Sequence, residues 1–476
     1  MDVLALMSGA RADLAPPFEV SQAEDAAAIA AYRGLRRRVF VDEQELFGGD
    51  DRDDFDEDPR TVVLVARDRS GSVVGGVRLS PFDPGGPDIG WWFGSRLAVA
   101  RGSRGDAVGP ALIRAACAHA EAAGALRFEA TVQAGNERMF RRLGWTAVRP
   151  LTVAGTPHVL MRWPIGRLAV LASASKGPLG PLLAGLTGVP GFVGDDGVPV
   201  PGSDLVAACD AIVPSMVERD PEWAGWCSVL VNVNDLAAMG AAPVGLLDAL
   251  GARDASFAAR VLSGLRRASV AYGIPVLGGH TQLGVPAALS VTALGRAAAP
   301  VPGGGGLAGQ SVRLTVDLGG GWRPGYTGRQ WDSTSTRSGA ELRAMTGCLI
   351  SGDGAGLAGG ARPAAAKDVS MAGIAGTLGM LAEASGCGAV LDVAAVPRPA
   401  EATMGDWLTC FPGFGMLTAA PSDAPALAAG PAVSAACGSL VPGAGVRLRW
   451  PDGEETVALD GDVTGLGPAT GAGGPT

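Results

Sequence analysis

The stretch Asn232-Val233-Asn234-Asp235-Leu236-Ala237-Ala238-Met239-Gly240-Ala241 constrains this chain more than any other. It sets amide and carboxylate side chains directly against a run of small residues that packs tightly in a turn. Buried polar groups are costly unless they find partners, so the pattern points to a site for a metal ion and phosphate. Companions occur in order along the chain. Gly194-Asp195-Asp196-Gly197 and Asp210 precede it, and Gly278-Gly279-His280-Thr281 and Lys367-Asp368-Val369-Ser370-Met371-Ala372-Gly373 follow it. One such motif is weak, whereas the ordered set is specific.

At 476 residues the chain exceeds one hydrophobic core and is expected to form roughly three units. Its 47% hydrophobic and 18% charged residues, with 73 Gly and 34 Pro, read as soluble, globular and turn-rich. A net charge of -9 argues against a nucleic-acid partner, which needs a basic surface. Seven cysteines without a C-x-x-C pair read as reduced thiols of a cytoplasmic protein. No signal-peptide pattern and no run of about 18 apolar residues is present, so neither secretion nor membrane insertion is expected. Of 38 basic residues only Lys176 and Lys367 are lysines, which leaves 36 arginines. Both fall near the acidic motifs, where a compact ammonium suits phosphate oxygens.

After an N-terminal extension (1–17), residues 18–165 alternate short apolar strands with amphipathic helices. Strands are expected at Thr61–Arg67, Val73–Leu79, Arg96–Ala100, Arg127–Gln133 and Thr156–Trp163. Helices are expected from Pro110 to Ala123 and from Asn136 to Arg142. A second unit follows, divided by the glycines of 302–306 into subdomains 166–300 and 301–466. From Gly461 on, bulky apolar residues are few, and 467–476 is expected to be a mobile tail.

Arg101-Gly102-Ser103-Arg104-Gly105-Asp106-Ala107-Val108-Gly109 lies between a strand and a helix and offers the backbone N–H groups that hold a pyrophosphate. With Arg38 to Gln44, Asn136 to Phe140 and Leu143-Gly144-Trp145, this unit resembles the GCN5-related N-acetyltransferase (GNAT) family. The resemblance implies an α/β GNAT fold, acetyl-CoA as cofactor and transfer to an amine. It places Arg104, Gly105, Ala107, Val108 and Gly109 on the pyrophosphate, with Ala107 where the family has glycine. Val99 backbone polarises the thioester, and Asn136 and Phe140 line the cofactor. Phe140 stands where a tyrosine usually protonates the thiolate, and a phenyl ring cannot. Glu43 and Glu129 are the candidate bases. The acidic run Asp50 to Asp58 reads as a solvated face, and His119 and His158 read as non-catalytic.

In the second unit, Asp195, Asp196, Asp210 and Asp235 are candidate Mg²⁺ ligands, because one short loop cannot surround the ion. Gly278, Gly279, His280 and Thr281 follow the apolar run Ile274 to Leu277, which puts them at a strand end open to a ligand. Ser370 is placed to cap the helix from about Ala372 to Glu383. These motifs resemble the AIR synthase-related superfamily, with its thiamine-monophosphate kinase and selenophosphate synthetase branches, and a branch found in nitrilase-containing gene clusters. The resemblance implies a two-subdomain, PurM-like α+β fold that binds Mg-ATP and dimerises through its first subdomain. It makes Lys367 and Asp368 catalytic. Lys176, Asn232, Asn234, the Gly278 to Thr281 run and Ser370 become nucleotide contacts, with His280 where the family has an aspartate.

The chain is thus expected to be a bifunctional enzyme for small molecules, an acyltransferase joined to an ATP- and Mg²⁺-dependent enzyme. Two alternatives stay open, a weakly active CoA-binding regulatory domain and a nucleotide-binding scaffold.

Overall fold

The computed structural model describes residues 17–186, 188–350 and 362–469. The N-terminal extension, apart from Pro17, and the tail from residue 470 lie outside them. Two units make up the chain, one ending at Ile165 and the other beginning at Gly166.

The first unit is one seven-stranded sheet. Its strands are β1 (Phe18–Gln22), β2 (Val62–Asp68), β3 (Val73–Pro81), β4 (Trp91–Val99), β5 (Arg127–Gln133), β6 (Thr146–Val153) and β7 (Thr156–Trp163), ordered β1-β2-β3-β4-β5-β7-β6. Its helices are α1 (Ala26–Arg36), α2 (Val108–Ala122) and α3 (Glu137–Arg142). The strand expected at Arg96 begins at Trp91, because Trp91, Trp92 and Phe93 are aromatic residues suited to a pleated, half-buried surface. Leu112, Ile113, Ala116, Cys117 and Ala120 form the buried stripe of α2, at the helical spacing read from sequence. Every strand pair is antiparallel except β4 with β5, which pair only from Trp91–Arg127 to Gly94–Ala130. Beyond Gly94 the two strands part, and their separation opens the cavity described below.

The second unit starts with α4 (Arg167–Lys176) and α5 (Leu179–Leu182). A five-stranded sheet follows from β8 (Val198–Pro199), β9 (Leu205–Ile212), β10 (Ala242–Ala252), β11 (Val276–Leu283) and β12 (Ala288–Arg296), ordered β11-β10-β12-β9-β8. Three helices belong to it, α6 (Pro214–Arg219), α7 (Pro221–Ala238) and α8 (Ala255–Tyr272). The rest comprises β13 (Ser311–Val316), β14 (Gly321–Trp322), β15 (Gln330–Asp332), α9 (Gly339–Thr346), β16 (Ala365–Asp368), α10 (Gly373–Ala384), β17 (Gly388–Asp392), α11 (Met404–Thr409), β18 (Phe411–Pro412), β19 (Gly415–Ala420), β20 (Val433–Val441), β21 (Val446–Arg449) and β22 (Glu455–Leu459). These strands form a seven-stranded sheet, β16-β19-β13-β20-β17-β21-β22, and a small one, β14-β15-β18. One core joins both parts, since Ala366, Phe414 and Met416 cluster with Val229, Leu236 and Leu246.

Helix α7 is buried along nearly its whole length. It crosses α8 at two glycines, where a Cβ on Gly225 would strike the Val261 carbonyl and one on Gly264 the Glu222 carbonyl. Asn232 to Ala238 therefore end a buried helix, and only Met239-Gly240-Ala241 form a turn, a correction to the turn expected for the whole stretch. Residues from Gly461 to Ala469 are packed, contrary to expectation. Glu383 accepts the backbone N–H of Val463, Thr464 and Gly467, and Ala469 is buried and donates to the Ala384 carbonyl. No helix among the described residues is long and apolar enough to cross a membrane.

Gly264→Ala is expected to lower the stability of this unit by about 1–3 kcal/mol through overpacking, read as a lower urea midpoint. An unchanged midpoint would show that the two helices tolerate a methyl group at their crossing.

Candidate active sites

A cavity of 410 Å³ occupies the gap between β4 and β5. Its apolar wall includes Phe40, Phe47, Phe55, Phe93, Phe128 and Phe140, and Asn136 also faces it. At its side the loop from Arg101 leads into α2 through Ala107, whose φ of 61° lies in the left-handed region that favours glycine. An alanine there costs about 1–2 kcal/mol of backbone strain, which fits a position where glycine is the usual residue. Gly105, Val108 and Gly109 lie in the same turn and at the start of α2. Arg104 donates to the Val99 carbonyl at 3.2 Å and to Glu43 at 2.5 Å. Glu43 ends a π-helical extension of α1, so its carboxylate steadies the loop arginine outside the cavity lining.

Glu129 is fully buried in β5. Arg162 holds its Oε1 at 2.5 Å, and Arg127 and Trp91 hold its Oε2 at 3.1 and 3.0 Å. Both oxygens are occupied by donors, and Glu129 does not line the cavity. As placed, neither candidate base faces the space where an amine would react.

In the second unit, Asp196, Asp235 and Asp368 bring carboxylate oxygens within 4.8 Å of one another. Asp196 comes from the loop after Gly194, Asp235 from the last turn of α7 and Asp368 from the end of β16. The Asp368 N–H donates to Asp196 at 2.8 Å. Lys367, buried, donates to the Gly194 carbonyl at 2.7 Å and to Asp196 at 3.1 Å. Burial pushes the Asp235 carboxyl well up, and Asp368, Asp210 and Asp196 add to it. Asp368 is likewise raised by burial and then by Asp196 and Asp210, with Lys367 and Lys176 opposing. Burial alone would lower the Lys367 ammonium, yet Asp196 and Asp195 reverse that and hold it up. Three clustered carboxylates with one ammonium leave excess negative charge in a poorly hydrated place. An all-oxygen donor set of this kind fits a hard divalent cation such as Mg²⁺.

Residues 27–145 match the acetyltransferase (GNAT) family, residues 194–297 the N-terminal domain of AIR synthase related protein, and residues 345–450 its C-terminal domain. An uncharacterized protein of Synechocystis sp. is 37% identical over 229 residues, which is 47% of this chain and 69% of that protein. Thiamine-monophosphate kinase of Synechococcus elongatus is 37% identical over 112 residues, 21% of this chain and 34% of the kinase. Among solved structures, T. maritima PurL complexed with ATP has a TM-score of 0.50 at 16% identity, over 65% of this chain and 53% of that one. The chain is a GNAT domain fused to an AIR synthase-related domain. The second domain has the PurM-like fold.

Within the AIR synthase-related domain the structure regroups the acidic residues. Asp368 stands with Asp196 and Asp235, whereas Asp195 turns away to accept the Gly303 N–H at 2.8 Å and lies 4.0 Å from Lys367. Burial raises the Asp195 carboxyl to about 6, against the pull of Lys367. Asp210, on β9, is raised by lost hydration and by Asp196, with Lys176 and a hydrogen bond with Asp235 opposing. Lys176, at the end of α4, is therefore close enough to act on the acidic group. Gly303 was not singled out from sequence; a Cβ there would crowd Lys367 Nζ at 2.8 Å.

Asn234 donates to the Gly413 carbonyl at 3.0 Å and Asn232 to the Ser228 carbonyl at 2.9 Å, while the buried Oδ1 of each lacks a partner. Ser370 does not cap α10. The cap position is Ala372, and the chain passes through Gly373 at φ 70°, so the Ser370 hydroxyl is buried without a partner. Gly278, Gly279, His280 and Thr281 also depart from expectation. They lie in the middle of β11, an exposed edge strand, separated from Asp210 on β9 by β10 and β12. At about 4.8 Å per strand this is roughly 14 Å within one chain.

In the GNAT domain the acidic run is a solvated face only at Asp50, Asp54 and Glu57, which are exposed. Asp51 and Asp56 are buried counter-ions of Arg36, at 2.7 and 2.5 Å, and Asp53 pairs with Arg78 at 2.5 Å and Arg96 at 2.9 Å. Three arginines meet three carboxylates, because an uncompensated charge here would cost several kcal/mol. Burial alone would raise Asp56, but Arg36 and Arg78 hold it well below the usual carboxylate range. Arg60 does the same for Asp58. A depressed carboxyl stabilises the fold above its unfolded value near about 4 and loses that contribution as pH falls. The urea midpoint of this domain is therefore expected to drop between about pH 5 and pH 2, and Asp56→Ala to cost about 3–5 kcal/mol at neutral pH. A midpoint independent of pH over that range contradicts the pairing.

Proposed function

We propose that the chain is a bifunctional enzyme. In this reading the GNAT domain is an acetyl-CoA-dependent N-acyltransferase. The AIR synthase-related domain transfers a phosphoryl group from ATP to a small molecule, as a kinase or by activating an amide or carboxylate oxygen. The observation that carries the second half is the acidic trio, with Asp235 and Asp368 buried and Asp196 half-buried, and Lys367 beside it. Asp196, Asp235 and Asp368 would hold Mg²⁺, which when bound neutralises phosphate oxygens and orients them for in-line attack. Lys367 and Lys176 place ammonium charge on the same side, and the unpartnered oxygens of Asn234 and Ser370 offer further polar contacts. Thiamine-monophosphate kinase, a relative of this half, is a phosphoryl-transfer enzyme by its name, which supports the class of reaction. For the first half, the left-handed Ala107 turn before α2 supports pyrophosphate binding through backbone N–H groups.

Asp235→Asn tests the metal site with two opposed readouts. Removing one repelled charge should raise the thermal midpoint of the metal-free protein, and the same change should weaken Mg-ATP binding at least about tenfold by calorimetry. ADP release in a small-molecule screen should fall with it. Unaltered Mg-ATP affinity removes Asp235 from the site and with it the phosphoryl-transfer reading.

We propose further that the domain dimerises through β11, whose eight residues are all exposed, including Val276, Leu277 and Leu283. An open strand edge with apolar side chains is a template for pairing with a second copy. Leu277→Glu should convert a sedimenting dimer to a monomer; a wild type that sediments as a monomer rules this interface out.

A further inference from the structure

We propose that His158 is the catalytic base of the GNAT domain, taking the proton from the acceptor amine through Nε2. The inference rests on the acyl-transfer reading above and adds to it the residue that performs the proton transfer.

His158 sits near the start of β7, between β5 and the edge strand β6, opposite Gln133 of β5 and Leu151 of β6. It is 5% exposed and lines the 410 Å³ cavity. Its Nδ1 lies 2.8 Å from the Thr156 carbonyl oxygen. A carbonyl only accepts, so Nδ1 carries the proton and Nε2 keeps its lone pair. No hydrogen bond engages Nε2 among the described residues. An imidazole held in this tautomer, with its basic nitrogen uncommitted, is the arrangement general-base catalysis needs.

The competing groups are all occupied. Glu129 is locked by Arg162, Arg127 and Trp91, and Glu43 by Arg104. The charged groups that face the cavity are Arg78 from β3, Arg96 from β4 and Asp53 from the acidic loop, and Asp53 is held by both arginines. From β5 and β6 the lining beside His158 is Thr131, Gln133 and Val153, none of which titrates near neutral pH. Among the described residues, His158 is therefore the one cavity-lining group able to accept a proton without breaking an ion pair.

The step balances simply. The amine nitrogen bonds to the thioester carbonyl carbon, the carbon–sulfur bond breaks, and the amine proton passes to Nε2. The imidazolium then supplies the proton that the CoA thiolate takes up. That second role matters here, because Phe140 lines the same cavity and has no hydroxyl to donate.

The test uses the full chain with acetyl-CoA and a panel of primary amines, namely spermidine, putrescine, tyramine and the standard amino acids. Thiol release is followed over about pH 5 to 8. Wild type should lose kcat/KM on the acid side. His158→Gln should lower kcat/KM by about 10²- to 10⁴-fold and abolish that acid limb, with acetyl-CoA affinity by calorimetry unchanged. Added imidazole should partly restore His158→Ala. The unchanged calorimetric affinity doubles as the check that each variant is folded. A variant that binds acetyl-CoA and keeps the wild-type rate and acid limb overturns the role of His158 alone. A wild type that binds no acetyl-CoA, or transfers to no amine of the panel, overturns the acyl-transfer reading and this inference together.

Discussion

Helix α7 governs the second half of the molecule because it has almost no face left for water. Every residue from Trp223 to Ala238 except Val231 is buried, and the helix is brought against α8 through the paired absences of Cβ at Gly225 and Gly264. Polar groups carried on such a helix must find partners inside the protein or be supplied with them. The Ser228 hydroxyl and the Asn232 Nδ2 do so within the helix itself, while the Asn232 Oδ1 stays unpartnered. Asp235 does not. It stands in the last turn, where the partial negative charge of the helix C-terminus adds to the repulsion from Asp196 and Asp368. The fold therefore holds a carboxylate whose charge is opposed by burial and by three neighbouring aspartates and favoured by Lys367, and a bound cation is the simplest partner that would relieve it.

The GNAT domain handles buried charge in the opposite way. Arg36, Arg78 and Arg96 meet Asp51, Asp53 and Asp56 in a closed set, and Arg127 and Arg162 meet Glu129. Such pairs satisfy themselves and ask for no ligand. The contrast separates structural charge from functional charge within one chain. Where the counter-ions are complete, the residues brace the sheet and the cavity wall; where they are incomplete, a ligand of opposite charge would complete them.

How far this was visible in the sequence depended on the range of the interaction. The stripe of α2 and the hairpin of β2 and β3 are local, and their periodicity and turn residues predicted them closely. The acidic motifs of the second half also stood out, because aspartates beside glycines in ordered segments are unusual. Their division of labour did not. Asp195 and Asp196 are adjacent, and only the turn through Gly194 at φ 72° decides which one faces Asp235. The run from Asp50 to Asp58 looked like a solvated loop, since its partners Arg36, Arg78 and Arg96 come from a helix and two strands at a distance that spacing cannot reveal. Gly278 to Thr281 was misplaced because an apolar run was read as a whole strand, although β11 starts only at Val276. His158 showed no local signal at all, its significance arising from the tautomer set by Thr156 and from the parting of β4 and β5.

The use of lysine follows from the same geometry. This chain employs arginine for 36 of its 38 basic residues, and arginine suffices wherever a carboxylate can be met by a planar fork, as in Arg36 or Arg78. At position 367 the available space differs. The Gly303 backbone passes so close that even a Cβ would crowd the ammonium, and the acceptors, the Gly194 carbonyl and Asp196, are arranged around a point and not along an edge. Three rotatable donors on a compact charge fit that arrangement, and a rigid guanidinium does not. The ammonium offsets part of the charge of the trio and leaves the remainder uncompensated, so Lys367 steadies the acidic group and leaves charge that the proposed cation would neutralise.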